Sequence, residues 1–232
     1  MNHIGNLQVK VCLRRRTALV VLAVTSLFGS INQLAAQTFT PKITSPATPD
    51  LITPPNGAIA FLVGHATGTQ GYVCLPTAPG AETASWTVNN ARPEATLFTT
   101  IFGQPFQIIT HFLSPDTNPN EFAPNPVPFG SATWQSSLDS SKVWAQAVHS
   151  IPAGSDASCP NTGAITCLLL QSIGNQQGPT GGKLLAPVTF IQRLNTKGGI
   201  APAQGCAVAG DVGKQALVPY IADYYFFTGG VN

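Results

Sequence analysis

The chain has 232 residues, and only 9% of them are Asp, Glu, Lys or Arg, against about 25% in most soluble domains. Hydrophobic residues make up 44% of the chain, which is enough for one sizeable core or at most two small ones. The formal charge of +2 depends on four basic residues near the N-terminus, and without them seven basic and nine acidic side chains remain. This excludes the strongly basic surface that is typical of nucleic-acid-binding proteins.

Residues 1–36 have the three-part layout of a secretory signal peptide. Three consecutive arginines precede an apolar run that ends near Gly29, and small residues follow, so we expect cleavage between Ala36 and Gln37. The apolar run is too short to span a bilayer comfortably, and no later stretch is apolar enough to do so. No cysteine follows the cleavage site, so a lipoprotein anchor is not indicated. The sequence therefore predicts a secreted or periplasmic protein with no membrane span in its mature chain.

Four cysteines remain after the predicted cleavage, which in an oxidising compartment indicates two disulfides with three alternative pairings. Cys159 and Cys167 bracket a short segment whose Pro-Asn-Thr-Gly centre is typical of a turn, which favours a local disulfide between them. Cys74 and Cys206 would then pair and close a long loop. A structural zinc site is disfavoured, because no two cysteines have the spacing of two to four residues that is usual in such sites.

The pattern of the mature chain is that of β-strands. Residues 37–56 contain five prolines and little periodicity, which indicates an extended lead-in. From Gly57 onward, roughly ten apolar runs rich in Val, Ile, Thr, Phe and Tyr alternate with turn residues, and none keeps a helical period over three turns. Residues 57–232 are therefore predicted to form a single antiparallel β-sandwich or barrel-like domain of roughly ten short strands, stapled by the two disulfides.

Two loops and one charged pair stand out in this domain. The stretch from Leu113 to Gly130 carries five prolines and cannot be a central strand, and the segment between Ile151 and the LLL strand is held by the proposed local disulfide. Asp223 is a carboxylate among the aromatic residues of the last strand and needs a polar partner. Arg193 is the candidate partner, because it too interrupts an apolar strand.

Few familiar catalytic patterns are present. No serine lies in a G-x-S-x-G elbow, and no glycine-rich segment opens a helix after a strand, so neither a serine hydrolase nor a nucleotide cofactor is indicated, and we expect no cofactor. Three histidines, His65, His111 and His149, lack the spacing of a metal site, and no metal is predicted. A pair of carboxylates for glycoside hydrolysis would have to lie about 5–10 Å apart, a separation that a sequence does not reveal.

Several stretches resemble domain-of-unknown-function family 3455, which is found in secreted bacterial and fungal proteins: ARPEATLF, SATWQSSLDSSKVWAQAV, LLLQS, VTFIQRLNTKGGIAPAQGC and VPYIADYYFF. The resemblance covers about residues 57–230, and its most specific part is the stretch from Gln192 to Cys206. Cys74 lies where the family has a cysteine, which supports its pairing with Cys206. The resemblance implies secretion and a shared fold, but no established activity.

The first functional hypothesis is a non-catalytic secreted or envelope module that binds a small molecule or a glycan. Trp86 and Trp134 would serve as stacking platforms, and Arg193 would supply a polar contact. The low charge and the lack of a recognisable catalytic constellation favour this hypothesis, so the sequence leans away from an enzyme.

Two alternatives stay open. The protein could be a hydrolase or lyase acting on an extracellular polysaccharide, with Glu94 or His111 as acid/base, Asp139 as a further carboxylate and Arg193 stabilising an anion or the transition state. It could also be a structural envelope protein in which Arg193, Glu94 and Asp223 form a buried ion network. The sequence leaves the oligomeric state open.

Overall fold

The apolar runs of the sequence form strands because Val, Ile, Thr and aromatic side chains fit the half-buried surface of a pleated sheet. The computed structural model describes residues 43–114 and 131–230, except for the side chains of residues 90–93, and these residues belong to one compact unit. The predicted signal peptide with its cleavage site, and most of the first proline-rich stretch, lie outside the described residues.

Eight antiparallel strands form a closed barrel, in which each strand pairs with its neighbours in the chain and the last strand pairs with the first. The strands are β1 (Ile59–Pro76), β2 (Ala84–Ile101), β3 (Gln104–Ser114), β4 (Ser131–Ser136), β5 (Lys142–Ile151), β6 (Cys167–Gln176), β7 (Phe190–Gly198) and β8 (Gln215–Thr228). The predicted all-β antiparallel class is confirmed. Within the described residues, no helix is long and apolar enough to cross a membrane.

The strand count is eight rather than about ten because β1 and β2 each join two of the predicted runs. In β1 the runs are separated by the segment HATGT, whose glycine in sequence resembles a turn residue. Gly68 instead lies in mid-strand, where an added Cβ would overlap the Glu94 carbonyl oxygen and lie 2.6 Å from the Ala95 Cα. The pairing of β1 with β2 then shifts register between Gln70 and Tyr72. The glycine permits close approach inside a continuous strand, a common device for bending barrel strands.

Strands β6 and β7 are covered on both faces. Leu170 and Ile191 belong to the main hydrophobic core, whereas Leu169 and Phe190 belong to a second cluster together with Ile52. Since successive side chains of a strand point to opposite faces, one set faces the inside of the barrel and the other faces outward. The outer set is shielded by the segment that precedes β1 and by the disulfide-linked connection between β5 and β6.

The described part of the predicted lead-in, residues 43–56, is attached to the barrel. It is irregular apart from one 3-10 turn at Asp50–Ile52, and the Ile52 side chain has no exposed surface. The buried amide of Gln192 donates a hydrogen bond to the Ile52 carbonyl oxygen at 2.7 Å. The described part of this segment therefore packs as part of the molecule.

The chain reverses at every strand, so its connections alternate between the two ends of the barrel. The end that we call the open end carries the β1–β2, β3–β4, β5–β6 and β7–β8 connections, of which the β3–β4 connection falls on residues 115–130 and is not described. Both predicted disulfides, Cys74–Cys206 and Cys159–Cys167, are present at this end. The open end is thus stabilised by covalent cross-links.

The other end, which we call the closed end, is filled by the β6–β7 connection. Leu185 and Val188 of this connection are buried in the main core, and the Asn175 amide donates hydrogen bonds to both of their carbonyl oxygens. The β4–β5 turn contributes Asp139, whose carboxylate accepts a hydrogen bond from the Leu184 backbone N–H at 2.8 Å. Side chains and hydrogen bonds therefore seal this end of the barrel.

Candidate functional site

A cavity of about 800 Å³ lies inside the barrel, and residues of all eight strands line it. One lining residue from each strand, in chain order, is Tyr72, Val88, His111, Trp134, Ala145, Leu170, Arg193 and Tyr224. The β5–β6 and β7–β8 connections add Ile165, Thr166, Ile200 and Ala201, so the cavity reaches the open end. Its volume is in the range of small-molecule sites, which is about 300–1,000 Å³.

The walls of the cavity are mainly apolar. Branched side chains line it at Val88, Leu168 and Ile173, among others, and alanines occupy positions on β4 and β5. The two alanines of β5, Ala145 and Ala147, present only methyl groups. Eight-stranded barrels either fill their interior with side chains or leave room for one small ligand, and the small residues on β5 leave that room here.

His111 and Trp134 form a stacked pair in the wall. Their ring centroids are 4.0 Å apart and their planes differ by 9°, while the Tyr224 ring lies 5.9 Å from each. The two residues face each other on β3 and β4, which places them on the same side of the sheet. Because one face of the Trp134 ring is covered by His111, and Trp134 is almost fully buried, the ring is not an open stacking platform.

His111 is a neutral group in this environment. Burial lowers its pKa to about 4, against the opposing hydrogen bond to the Thr133 carbonyl, and the nearby charge of Arg193 lowers the pKa further. The Nδ1 atom lies 2.8 Å from the Thr133 carbonyl oxygen, and because a carbonyl can only accept, Nδ1 carries the proton. The Nε2 atom is then an acceptor, and no described residue donates a hydrogen bond to it.

Arg193 provides the only formal charge among the described residues that line the cavity. Its side chain is half-buried, and its Nε and Nη2 atoms both donate to the Thr166 carbonyl oxygen, at 3.2 Å and 2.9 Å. No carboxylate of the described residues forms an ion pair with it. Its charge also reaches the barrel interior: burial raises the pKa of Tyr72 and the charge of Arg193 opposes that rise, whereas for His111 the charge adds to the lowering of the pKa by burial.

The predicted partnership of Arg193 with Asp223 is wrong. Asp223 pairs instead with His65, through a 2.6 Å contact between Oδ1 and Nδ1, and accepts a hydrogen bond from the Asn195 amide. Arg193 lies opposite Tyr224 in the β7–β8 pairing, so its side chain shares the inner face with Tyr224. Asp223 precedes Tyr224 in the strand and therefore faces outward.

The other predicted site residues lie outside the cavity. Glu94 is exposed and precedes Ala95, which is buried in the core and pairs with His111. Asp139 lies at the closed end, where it accepts hydrogen bonds from both the N–H and the hydroxyl of Ser141. Trp86 is half-buried, and its indole N–H donates to a backbone carbonyl of the segment that carries Cys206. Of the four candidate catalytic residues, the structure brings only His111 and Arg193 to one cavity.

The hydrogen bonds of Asp139 explain its electrostatic state. Burial alone would raise the pKa of this carboxyl, but the bonds from Leu184, from the hydroxyl and N–H of Ser141 and from Ser136 together lower it to about 2. The carboxylate is therefore ionised at neutral pH and fully engaged with its own chain. It acts as a structural anchor between two connections of the closed end.

Some cavity residues carried no signal in the sequence. Tyr72 donates its hydroxyl proton to the Gly199 carbonyl at 2.7 Å, and the Tyr224 hydroxyl lies 3.0 Å from that of Tyr220, which is outside the cavity lining. Thr166 takes part only through its backbone carbonyl, which no side-chain motif can reveal. Among the described residues, no group of three or more His, Cys, Asp or Glu side chains is arranged to hold a metal ion.

The sequence model of one protein family, described as "Protein of unknown function (DUF3455)", matches residues 54–228. The chain belongs to this family. The resemblance inferred from the motifs is thereby confirmed. No curated protein and no solved structure matches the chain.

The region of DUF3455 in this chain contains the whole barrel, because it includes all eight strands from β1 to β8. The described cavity wall is therefore built entirely within the family region. The docked segment before residue 54, with the buried Ile52 side chain, precedes that region.

Proposed function

We propose that this protein is a non-catalytic module that binds one small, largely apolar molecule inside its barrel. The observation that carries the proposal is the cavity of about 800 Å³ lined by all eight strands. A ligand there would contact side chains from every strand and would bury apolar surface, which is the main source of affinity for apolar molecules.

The cross-links support a preformed site. Cys74–Cys206 joins β1 to the β7–β8 connection, and Cys159–Cys167 holds the β5–β6 connection, so both constrain segments that contribute to the cavity. A site fixed before binding loses less conformational entropy when the ligand enters. Disulfides persist in oxidising compartments, and we therefore place this function outside the cytoplasm, in the periplasm or the medium.

The chemistry of the lining favours binding over catalysis. Among the described lining residues, His111 is the one imidazole, and a pKa of about 4 leaves it a weak base. The carboxylates considered for glycoside hydrolysis, Glu94 and Asp139, are not among the lining residues. A glycan is also a poorer fit than an apolar ligand, because the Trp134 ring is covered by His111 and the surface of the cavity is mainly apolar.

Titration with N-phenyl-1-naphthylamine, an uncharged fluorophore that brightens in apolar surroundings, tests the proposal. Val88 and Thr87 form a matched pair on β2, because both are exposed but only Val88 lines the cavity. We expect saturable binding by the unmodified protein, a loss of affinity of about tenfold or more in Val88→Trp because the indole occupies the ligand volume, and little change in Thr87→Trp.

Two outcomes would contradict the proposal. One is the absence of saturable binding by the folded, unmodified protein. The other is an equal loss of affinity in Val88→Trp and Thr87→Trp, which would show that the fluorophore binds elsewhere on the surface. Thermal unfolding of both variants provides the control for folding. Val88 and Thr87 are neighbouring exposed residues of the same strand, so the two substitutions should have similar effects on stability.

A further inference from the structure

The cavity contains a cation whose hydrogen-bonding capacity the protein uses only in part. A guanidinium group has five N–H donors, and the Arg193 side chain directs two of them, from Nε and Nη2, to the Thr166 carbonyl oxygen. Both N–H of Nη1 and the second N–H of Nη2 have no acceptor among the described residues. The end edge of the guanidinium, formed by Nη1 and Nη2, is thus free of contacts from the part of the chain that the structure describes.

This free edge has a fixed position. The Thr166 carbonyl occupies the side edge of the guanidinium, and Thr166 directly precedes Cys167, which is bonded to Cys159. The preceding residue, Ile165, is also held, because its N–H donates to the Gly198 carbonyl at 2.9 Å. The acceptor that orients Arg193 is therefore anchored by a disulfide and by a backbone bond to β7.

We propose that the ligand of this cavity is a monocarboxylate with an apolar body, and that the carboxylate binds end-on to the Nη1–Nη2 edge of Arg193. This inference rests on the proposed binding function and names its ligand class. Two parallel N–H groups match the two oxygens of a carboxylate, which gives short charge-assisted hydrogen bonds and a defined orientation. The apolar walls, such as Leu170 and Ile173, receive the body of the molecule.

The surroundings of Arg193 select a single negative charge. The described lining contains one cation and no carboxylate, so a ligand with one anionic group neutralises the net charge of the lining. A second anionic charge would lie against apolar walls without a counter-charge, at a large desolvation cost. The neighbouring His111 is uncharged at neutral pH and presents an acceptor at Nε2, which offers no bond to a second carboxylate.

Matched pairs of ligands that differ only in the polar group test the inference. Dodecanoate is compared with dodecan-1-ol, and 4-(1-pyrenyl)butanoate with 4-(1-pyrenyl)butan-1-ol, each by displacement of N-phenyl-1-naphthylamine below micellar concentrations. We expect the unmodified protein to bind the carboxylate of at least one pair at least tenfold more tightly than its alcohol. This part of the experiment requires no variant and is independent of any effect of mutation on folding.

Substitution of Arg193 then assigns the preference to this side chain. Arg193→Met keeps the unbranched apolar stem and removes the charge, and it should abolish the preference for the carboxylate while the alcohol binds as before or more tightly. Arg193→Lys keeps the charge but cannot present two parallel N–H groups, so its preference should be intermediate. Melting curves confirm that the variants tested are folded.

The outcomes distinguish this inference from the proposed function. If the fluorophore does not bind, both fail. If it binds but carboxylates and alcohols displace it equally in both pairs, cavity binding stands and the inference is overturned. Should the preference exist but persist unchanged in folded Arg193→Met, a different cation holds the carboxylate and the assignment to Arg193 is wrong.

Discussion

The two ends of the barrel satisfy their polar groups in different ways. At the closed end, the Asp139 carboxylate accepts hydrogen bonds from two connections, and Leu185 fills the interior beside it. In the cavity that reaches the open end, three N–H groups of Arg193 and the Nε2 atom of His111 have no partner among the described residues. Among the described residues, the chain itself satisfies the Asp139 carboxylate at one end, whereas Arg193 and His111 at the other end keep hydrogen-bonding groups without a partner.

This contrast shows how an isolated charge should be interpreted. Asp139 and Arg193 are both charged residues in a chain with few charges, and the sequence made both of them site candidates. The informative difference is whether the chain itself supplies the hydrogen-bond partners of the charged group. The chain completes Asp139 with its own backbone and hydroxyl groups, whereas it orients Arg193 with one carbonyl and leaves one edge open.

Removal of the long-range disulfide is expected to have the largest effect on stability. Cys74 and Cys206 are 132 residues apart, and the loss of loop closure in the unfolded chain is worth about 5 kcal/mol in the free energy of unfolding. The double variant Cys74→Ala/Cys206→Ala should therefore unfold at a much lower denaturant concentration, as followed by tryptophan fluorescence.

The local disulfide provides the control for this comparison. Cys159 and Cys167 are 8 residues apart, so Cys159→Ala/Cys167→Ala should lose only about 2–3 kcal/mol by the same entropy argument. Equal losses in the two double variants would contradict the view that the long connections of the open end depend on covalent closure. A larger loss for the local pair would point to packing of its cysteines in the outer cluster as the dominant contribution.

At the closed end, Asp139→Ala is expected to destabilise the protein by about 3 kcal/mol, because N–H groups that donate to a charged acceptor lose it. The affinity of the folded protein for N-phenyl-1-naphthylamine should stay within about twofold, since Asp139 does not line the cavity. Denaturation of the variant measures the loss of stability, and titration of the same sample with the fluorophore measures the affinity.

Asp156 is the matched control for Asp139. It also accepts hydrogen bonds from the N–H and hydroxyl of a serine two residues later, Ser158, but it accepts none from another connection that the structure describes. Asp156→Ala should therefore cost clearly less stability than Asp139→Ala. If Asp139→Ala weakened fluorophore binding by more than about threefold in folded protein, the two ends would be coupled rather than independent.

Much of the fold follows from the sequence because its causes are local. Alternating apolar residues, turn residues and the absence of helical periodicity predict an antiparallel β domain, and the cysteine spacing predicts the local disulfide. Local cues mislead where a residue has a non-local role. Gly68 resembles a turn residue but permits close approach of two strands, and Asn195 adopts a positive φ of 49° inside β7, where a register shift lets the strand continue to Gly198.

The site could be predicted only in part, because it depends on which face of the barrel each residue occupies. Sequence reasoning selected His111 and Arg193, which line the cavity, but also Glu94 and Asp139, which do not. Closure of the sheet and the register between strands decide which residues face the cavity, and both arise from contacts between segments that are distant in sequence. The carbonyl of Thr166 that orients Arg193 is invisible to any analysis of side-chain motifs.

The cavity wall and the closed end should also lose stability in different pH ranges, which gives the smallest expected effect. Burial lowers the pKa of His111 from 6.5 to about 4, so below pH 6.5 the unfolded chain binds a proton that the folded protein does not. Stability should fall between pH 6.5 and 4, by about 2 kcal/mol at pH 5. The lowered pKa of Asp139, about 2, reduces stability only when the pH falls below the ordinary value of 3.8.

The variant His111→Phe, which keeps an aromatic ring against Trp134, tests this assignment in denaturation experiments at a series of pH values. The loss of stability between pH 6.5 and 4 should disappear in this variant, and the loss below pH 3.8 should remain. An unchanged slope above pH 4 in that variant would exclude His111 as its source.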